Sequence, residues 1–88
     1  MKIERTEKFK KDFQKLPNTV RKAATKQITQ LLMDHTHPSL HLESIKWKKG
    51  IFSVRVDKRF RIALSFPKGD TILLMRVLDH DELYRSSK

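Results

Sequence analysis

The chain has 88 residues and carries 20 Lys+Arg against 10 Asp+Glu, a formal net charge of +10. That length fits one small domain over residues 1–88 and leaves no room for a second core. With 38% hydrophobic residues, 2 Gly, 3 Pro and no Cys, the composition excludes a disordered basic tail, a fibrous repeat, a disulfide scaffold and cysteine chemistry.

Met1 to Thr6 reads as a short strand or extended lead-in. Thr6 is a plausible N-cap, and Phe9, Phe13 and Leu16 then fall at i, i+4 and i+7 on one stripe of a first helix. Pro17 stops it. Asn18 is placed to cap a second helix whose apolar face is Val20, Ala23, Ala24, Ile28, Leu31 and Leu32, with Arg21, Lys22 and Lys26 outside. The connection is short, which predicts a helical hairpin. Met33 to Ser44 reads as a loop with an extended tail. The period then changes to two in Phe52-Ser53-Val54-Arg55-Val56 and again in Phe60-Arg61-Ile62-Ala63-Leu64-Ser65-Phe66. Pro67-Lys68-Gly69-Asp70 is the expected turn. Thr71 to Leu78 is nearly continuous in apolar residues, as in a central strand covered on both faces. Asp79 to Lys88 is polar with room for one helical turn. The expected fold class is α+β: a helical hairpin on one face of a small antiparallel sheet, in the order βααβββ with a short C-terminal helix.

Side-chain parity makes a sharper prediction. If Val54 and Val56 share the core face with Phe60, Ile62 and Leu64, the hairpin loop must be odd, and Asp57-Lys58-Arg59 supplies three residues. Arg55 then lies opposite Arg61 on the face away from the helices. Like charges in that arrangement cost a few tenths to about 1 kcal/mol. A bound anion between the two forks would reverse the penalty, because Arg grips phosphate in a bidentate manner. Pairing of both with Asp79 or Glu82, or splaying into water, is the alternative.

His80 directly follows the last strand, and Tyr84 follows it by one helical turn. Imidazole changes charge near neutral pH and suits acid–base chemistry. A plain helix start, with Asp79 as cap and Leu83 and Tyr84 packed down, accounts equally for the acidic residues. Lys46-Trp47-Lys48-Lys49 combines an aromatic ring with three cations, as in surfaces that stack a base and grip its backbone; burial of Trp47 is the competing reading. His35, His37 and His41 match no common zinc spacing, so no metal site is expected. Phosphate-cradling glycine loops and hydrolase elbows are absent, so no cofactor is expected. The charge is even along the chain, with 9 basic and 4 acidic groups in residues 1–40 and 11 and 6 in residues 41–88. Such a field attracts polyanions, either nucleic acid or an acidic protein. No apolar run approaches the roughly 18–20 residues that span a bilayer, and the N-terminus lacks a signal-type stretch. A cytoplasmic protein is the expectation.

Arg5-Thr6-x-x-Phe9-x-x-x-Phe13-x-x-Leu16, Phe52-Ser53-Val54-Arg55-Val56, Phe60-Arg61-Ile62 and His80-Asp81-Glu82-Leu83-Tyr84-Arg85, in this order, resemble the RelE/ParE toxin superfamily, the small basic toxins of type II toxin–antitoxin modules. The resemblance implies the same hairpin-on-sheet fold. It further implies that the chain, like RelE and YoeB, is an endoribonuclease that inhibits translation by cutting mRNA in the ribosomal A site. That cleavage needs no metal or cofactor and uses the RNA 2′-OH as nucleophile. By position, Arg61 would stabilise the transition state, His80 would act as acid or base, and Tyr84 matches the late tyrosine of RelE-like members. Arg55 would hold phosphate, with Arg76, Lys46, Lys48 and Lys49 completing the RNA-binding set. The chain departs from RelE at Phe52 and Val54, where RelE carries lysines, and has Asp81 where many relatives have Arg. An acidic antitoxin is the implied partner. Gyrase inhibition, as in ParE-like members, and a non-catalytic basic binding module are the alternative functions.

Overall fold

The computed structural model describes residues 1–46 and 48–85. Strand β1 (Lys2–Arg5) leads into helix α1 (Glu7–Lys15), and helix α2 (Asn18–Met33) follows. A turn of 3-10 helix (Pro38–Leu40) precedes the two-residue strand β2 (Glu43–Ser44). Strands β3 (Ile51–Arg55), β4 (Phe60–Lys68) and β5 (Thr71–Asp79) complete the sheet, and helix α3 (His80–Arg85) closes the described chain. The strand order is β1-β5-β4-β3-β2. Among the described residues no helix is long and apolar enough to cross a membrane.

Local chemistry accounts for the helix boundaries. The Thr6 hydroxyl accepts the Phe9 amide N–H at 3.0 Å, the expected N-cap, and donates to the Met75 carbonyl at 2.7 Å. Leu16 closes α1, its N–H donating to the Phe13 carbonyl. Asn18 does not cap α2. Pro17 holds the cap position and Asn18 is the first helical residue, its side-chain oxygen accepting from Arg21. A proline suits that place because the amide it lacks would have had no intrahelical partner.

The sheet is mixed rather than wholly antiparallel, because β1 pairs with β5 in parallel, Lys2 opposite Thr71 through Arg5 opposite Leu74. The whole chain from α1 to β4 separates the two strands, more than the length that parallel pairing needs. β4 extends through Pro67 and Lys68, so the β4–β5 turn is only Gly69–Asp70. β2 was part of the loop expected over Met33–Ser44; it pairs Glu43 with Ser53 and Ser44 with Phe52.

The helices cover one face of the sheet. Phe9, Leu16, Val20, Ala24 and Leu31 pack with Leu40, Val54, Val56, Ile62, Leu64, Ile72, Leu74 and Val77. Leu32 is 43% exposed and is not part of this face; Gln27 is buried in its stead. Gln27 satisfies its amide by donating to the Ser39 and Arg55 carbonyls at 3.0 and 2.8 Å, which fastens α2 to the sheet. The register slips between Ala63 and Leu64, where Ala63 faces Arg76 but Leu64 faces Leu74. Leu74 and Val77 are an odd number of residues apart, and this bulge at Met75 is what lets both face the helices. On the opposite face a smaller cluster forms: Ile45, Ile51, Ala63 and Leu83, with Met75 and Leu78 against it. β5 is therefore covered on both sides, as its apolar run predicts. Leu83 brings α3 down onto this second face, and that contact builds the site.

Candidate functional site

The hairpin between β3 and β4 has the predicted register. The Val56 N–H donates to the Phe60 carbonyl at 3.0 Å, and Arg55 lies directly opposite Arg61. Parity with Ile51 and Ala63 puts both arginines on the face that carries α3. There they line a small cavity of about 120 Å³ together with His80, Tyr84, His41, Glu43 and Ser53. Four of the expected site residues, Arg55, Arg61, His80 and Tyr84, are thus gathered in one place.

Of the two carboxylates nearest the arginines, Glu43 lines the cavity and Asp79 is held by other groups. Asp79 Oδ2 pairs with Arg59 Nε at 2.5 Å, and Asp79 Oδ1 accepts the Asp81 N–H at 2.8 Å as the cap of α3. The Arg59 hydrogen bond, then the Asp81 amide, hold the Asp79 carboxyl below its ordinary value of 3.8. Arg59 is raised in turn by the same contact. Arg55 and Arg61 are bound instead by neutral oxygens. Arg55 Nε donates to the Asp57 carbonyl at 3.3 Å, and Arg61 Nη1 donates to the Asp57 and Phe60 carbonyls at 2.6 and 3.0 Å. Among the described residues no carboxylate hydrogen-bonds either guanidinium. Two cations are therefore held close together with no carboxylate hydrogen-bonded to either, which favours an anion between them.

His80 is fixed through its backbone, whose N–H donates to the Arg59 carbonyl at 2.7 Å. Its ring lies 4.6 Å from that of Tyr84 at 51° and approaches Asp81 Oδ1 at 3.4 Å. The imidazole is about half exposed, so it is open to a ligand. Arg61 and His80 also border a more open depression with Lys58, Arg59, Asp79 and Asp81, so the cavity opens toward the hairpin tip.

The remaining expected site residues lie elsewhere. Arg76 is opposite Ala63 and is held by Asp12 of α1, Nε to Oδ2 at 2.7 Å and Nη2 to Oδ1 at 3.2 Å. It does not line the cavity: its place on β5 sets it beside Asp12 and Leu83 instead. Lys46, Lys48 and Lys49 are exposed between β2 and β3; Lys48 borders an apolar hollow with Arg76 and Leu83 instead. The stacking or burial expected of Trp47 lies outside the described residues.

Glu43, His41 and Ser53 are lining residues that sequence reasoning missed. Ser53 was legible in principle, since it shares strand parity with Arg55. Glu43 and His41 carry no periodic signal, because β2 has only two residues and His41 sits at φ 46°, in the left-handed region just after the 3-10 turn. Of the three histidines of the Met33–Ser44 segment, His37 accepts the Ser39 N–H at 3.1 Å, and His35 lies 5.8 Å from the Phe66 ring. A larger apolar cleft, about 460 Å³, lies between the helical hairpin and β1, lined by Ile3, Phe9, Phe13, Ile28 and Leu74 together with Arg5 and Lys10. It holds no acid–base cluster.

The sequence matches the family described as ParE toxin of type II toxin–antitoxin system, parDE, over residues 3–84. No curated protein sequence matches it. Among solved structures, the fold is similar to the RelB–RelE antitoxin–toxin complex of Methanococcus jannaschii, with a TM-score of 0.76 at 24% identity over 94% of this chain and 96% of that one. It is similar to the YoeB/ParE toxin of Agrobacterium tumefaciens, TM-score 0.75 at 16% identity over 91% and 99%. It also matches a metal-bound toxin of Helicobacter pylori, TM-score 0.75 at 20% identity over 94% and 98%.

Proposed function

The chain belongs to the ParE toxin family of type II toxin–antitoxin systems, and from that membership and the make-up of its cavity we propose that it silences translation by cutting mRNA on the ribosome. The observation that carries this reading is the pair of guanidinium groups facing each other without carboxylate partners, beside an imidazole and a carboxylate. RNA supplies its own nucleophile. Glu43 takes the proton from a ribose 2′-OH as the oxygen attacks the adjacent phosphorus. Arg55 and Arg61 balance the charge that builds on the phosphorane oxygens. The protonated His80 ring passes its proton to the departing 5′-oxygen, leaving a 2′,3′-cyclic phosphate and a 5′-hydroxyl. Tyr84, its ring tilted against that of His80, limits the imidazole's orientation. The other cations, Lys46, Lys48 and Lys49 among them, add to the field that draws the strand in.

The test is induced expression followed by mapping of mRNA ends. Growth arrest with cuts in translated messages, and no cutting of free RNA, is the expected result. Arg61→Ala should lower cleavage about 10²–10³-fold and His80→Gln about 10²–10⁴-fold, with circular dichroism unchanged. Full toxicity in both variants would remove the assignment. The family name ParE favours a second reading, the gyrase inhibition that the resemblance to ParE-like members implies. That reading expects DNA-damage signalling with intact messages, insensitive to both substitutions.

The partner under either reading is an acidic antitoxin. Three features support it: the net charge of +10, the apolar cleft with Arg5 and Lys10 among its lining, and the similar folds solved as toxin–antitoxin complexes. An amphipathic acidic segment folding onto the toxin would bury its apolar side in the cleft.

A further inference from the structure

We propose that Asp57, in the β3–β4 turn, is a positioning residue that holds Arg55 and Arg61 converged on the cavity while leaving their charge free for an anion. The inference rests on the phosphate-binding reading of that cavity. Two guanidinium groups opposite each other in register repel, so their convergence needs a holder. The Asp57 carbonyl is that holder, accepting from Arg55 Nε at 3.3 Å and from Arg61 Nη1 at 2.6 Å. Because this oxygen is neutral, it orients both forks without cancelling their charge. Each guanidinium carries five N–H donors, so most remain for a ligand.

The direction of that carbonyl is set by the side chain of the same residue. Asp57 Oδ1 accepts the Arg59 N–H at 2.8 Å and the Phe60 N–H at 2.7 Å, an Asx-type turn that locks the loop. The Phe60 carbonyl, which also accepts from Arg61 Nη1, is held from the other side by the Val56 N–H. The carboxylate thus acts on the arginines through the backbone. Asparagine keeps an acceptor at the same place, whereas alanine removes it.

The test uses the intact chain. Nitrogen–proton NMR of arginine side chains reads the contacts directly: in the wild type the Arg55 Nε–H and Arg61 Nη groups should exchange and rotate more slowly than those of exposed Arg5. In Asp57→Ala they should become like Arg5, and affinity for a non-cleavable 2′-O-methyl oligoribonucleotide should fall about tenfold. Asp57→Asn should restore both, to within about threefold of wild-type affinity. Wild-type arginine signals in folded Asp57→Ala, or loss of binding in Asp57→Asn equal to that in alanine, overturn the proposal. If alanine prevents folding, the wild-type signals decide alone, and an Arg61 as mobile as Arg5 overturns it. A wild-type protein with no affinity for the oligonucleotide defeats the phosphate reading, while the arginine signals still judge the role of Asp57.

Discussion

The four arginines of the β3–β4 hairpin and β5 fall into two kinds, and the difference is who answers their charge. Arg59 and Arg76 meet carboxylates, Asp79 and Asp12. Arg55 and Arg61 meet carbonyl oxygens. Of these four, only the second kind offers net positive charge to a ligand at close range. The Arg59–Asp79 pair bears on the site in another way, because Asp79 is both its anion and the cap of the helix that begins with His80. Since the Asp79 pKa is depressed on folding, its contribution to stability is present above the ordinary value of 3.8 and is lost as the pH falls through that value and below. Asp79→Asn keeps a capping oxygen but not the charge. Its melting temperature is therefore expected to lie below wild type near neutral pH, with the gap closing as the pH falls through 3.8 and below. A gap that stays constant across a pH series of thermal melts would contradict the assignment.

At the level of elements, α1 finishes what β1 leaves undone. β1 stops at Arg5, opposite Leu74, so the outer edge of β5 beyond that point lacks a strand partner. Side chains of the helical segment replace it: the Thr6 hydroxyl donates to the Met75 carbonyl, and Asp12 Oδ2 accepts the Val77 N–H at 3.2 Å while also holding Arg76. Asp12→Ala leaves the amide of buried Val77 and the Arg76 cation without this partner, an expected cost of about 1–3 kcal/mol. For a domain of this size each kcal/mol lowers the melting temperature by roughly 4–8 °C. Asp12→Asn, which retains one acceptor, should fall between. Urea titration of the three proteins checks the ranking, and an alanine variant as stable as wild type would show that water satisfies the edge instead. Leu83 performs the corresponding task on the other face, anchoring α3 at 2% exposure so that His80 and Tyr84 overhang the sheet.

For the whole molecule, the net charge of +10 makes every encounter with an anion depend on salt. Binding of single-stranded RNA should weaken with a slope near −0.7 in log K against log salt for each phosphate neutralised. Arg61→Ala is expected to reduce that slope by about 0.7. Arg76→Ala in the folded protein should leave it unchanged, because Asp12 already balances that charge. Fluorescence anisotropy over a salt series distinguishes the two, and equal losses would mean that the field, not the cavity, governs binding.

What the amino-acid sequence determines alone is whatever depends on near neighbours. The Thr6 cap, the Pro17 boundary, the period-two strands and the odd loop at Asp57-Lys58-Arg59 all follow from steric and parity rules acting over a few residues, and the parity rule reaches as far as the meeting of Arg55 with Arg61. The ordered motifs carried the family as well. Tertiary structure alone decided which carboxylate each arginine obtains, since Asp12 lies 64 residues from Arg76 and Asp79 lies 20 from Arg59. It also brought Glu43 and His41 to the cavity from a strand too short to have a period, and made the sheet mixed by returning β1 beside β5. Pairing of charges is a competition settled by distances in the folded chain, and those distances have no local signature.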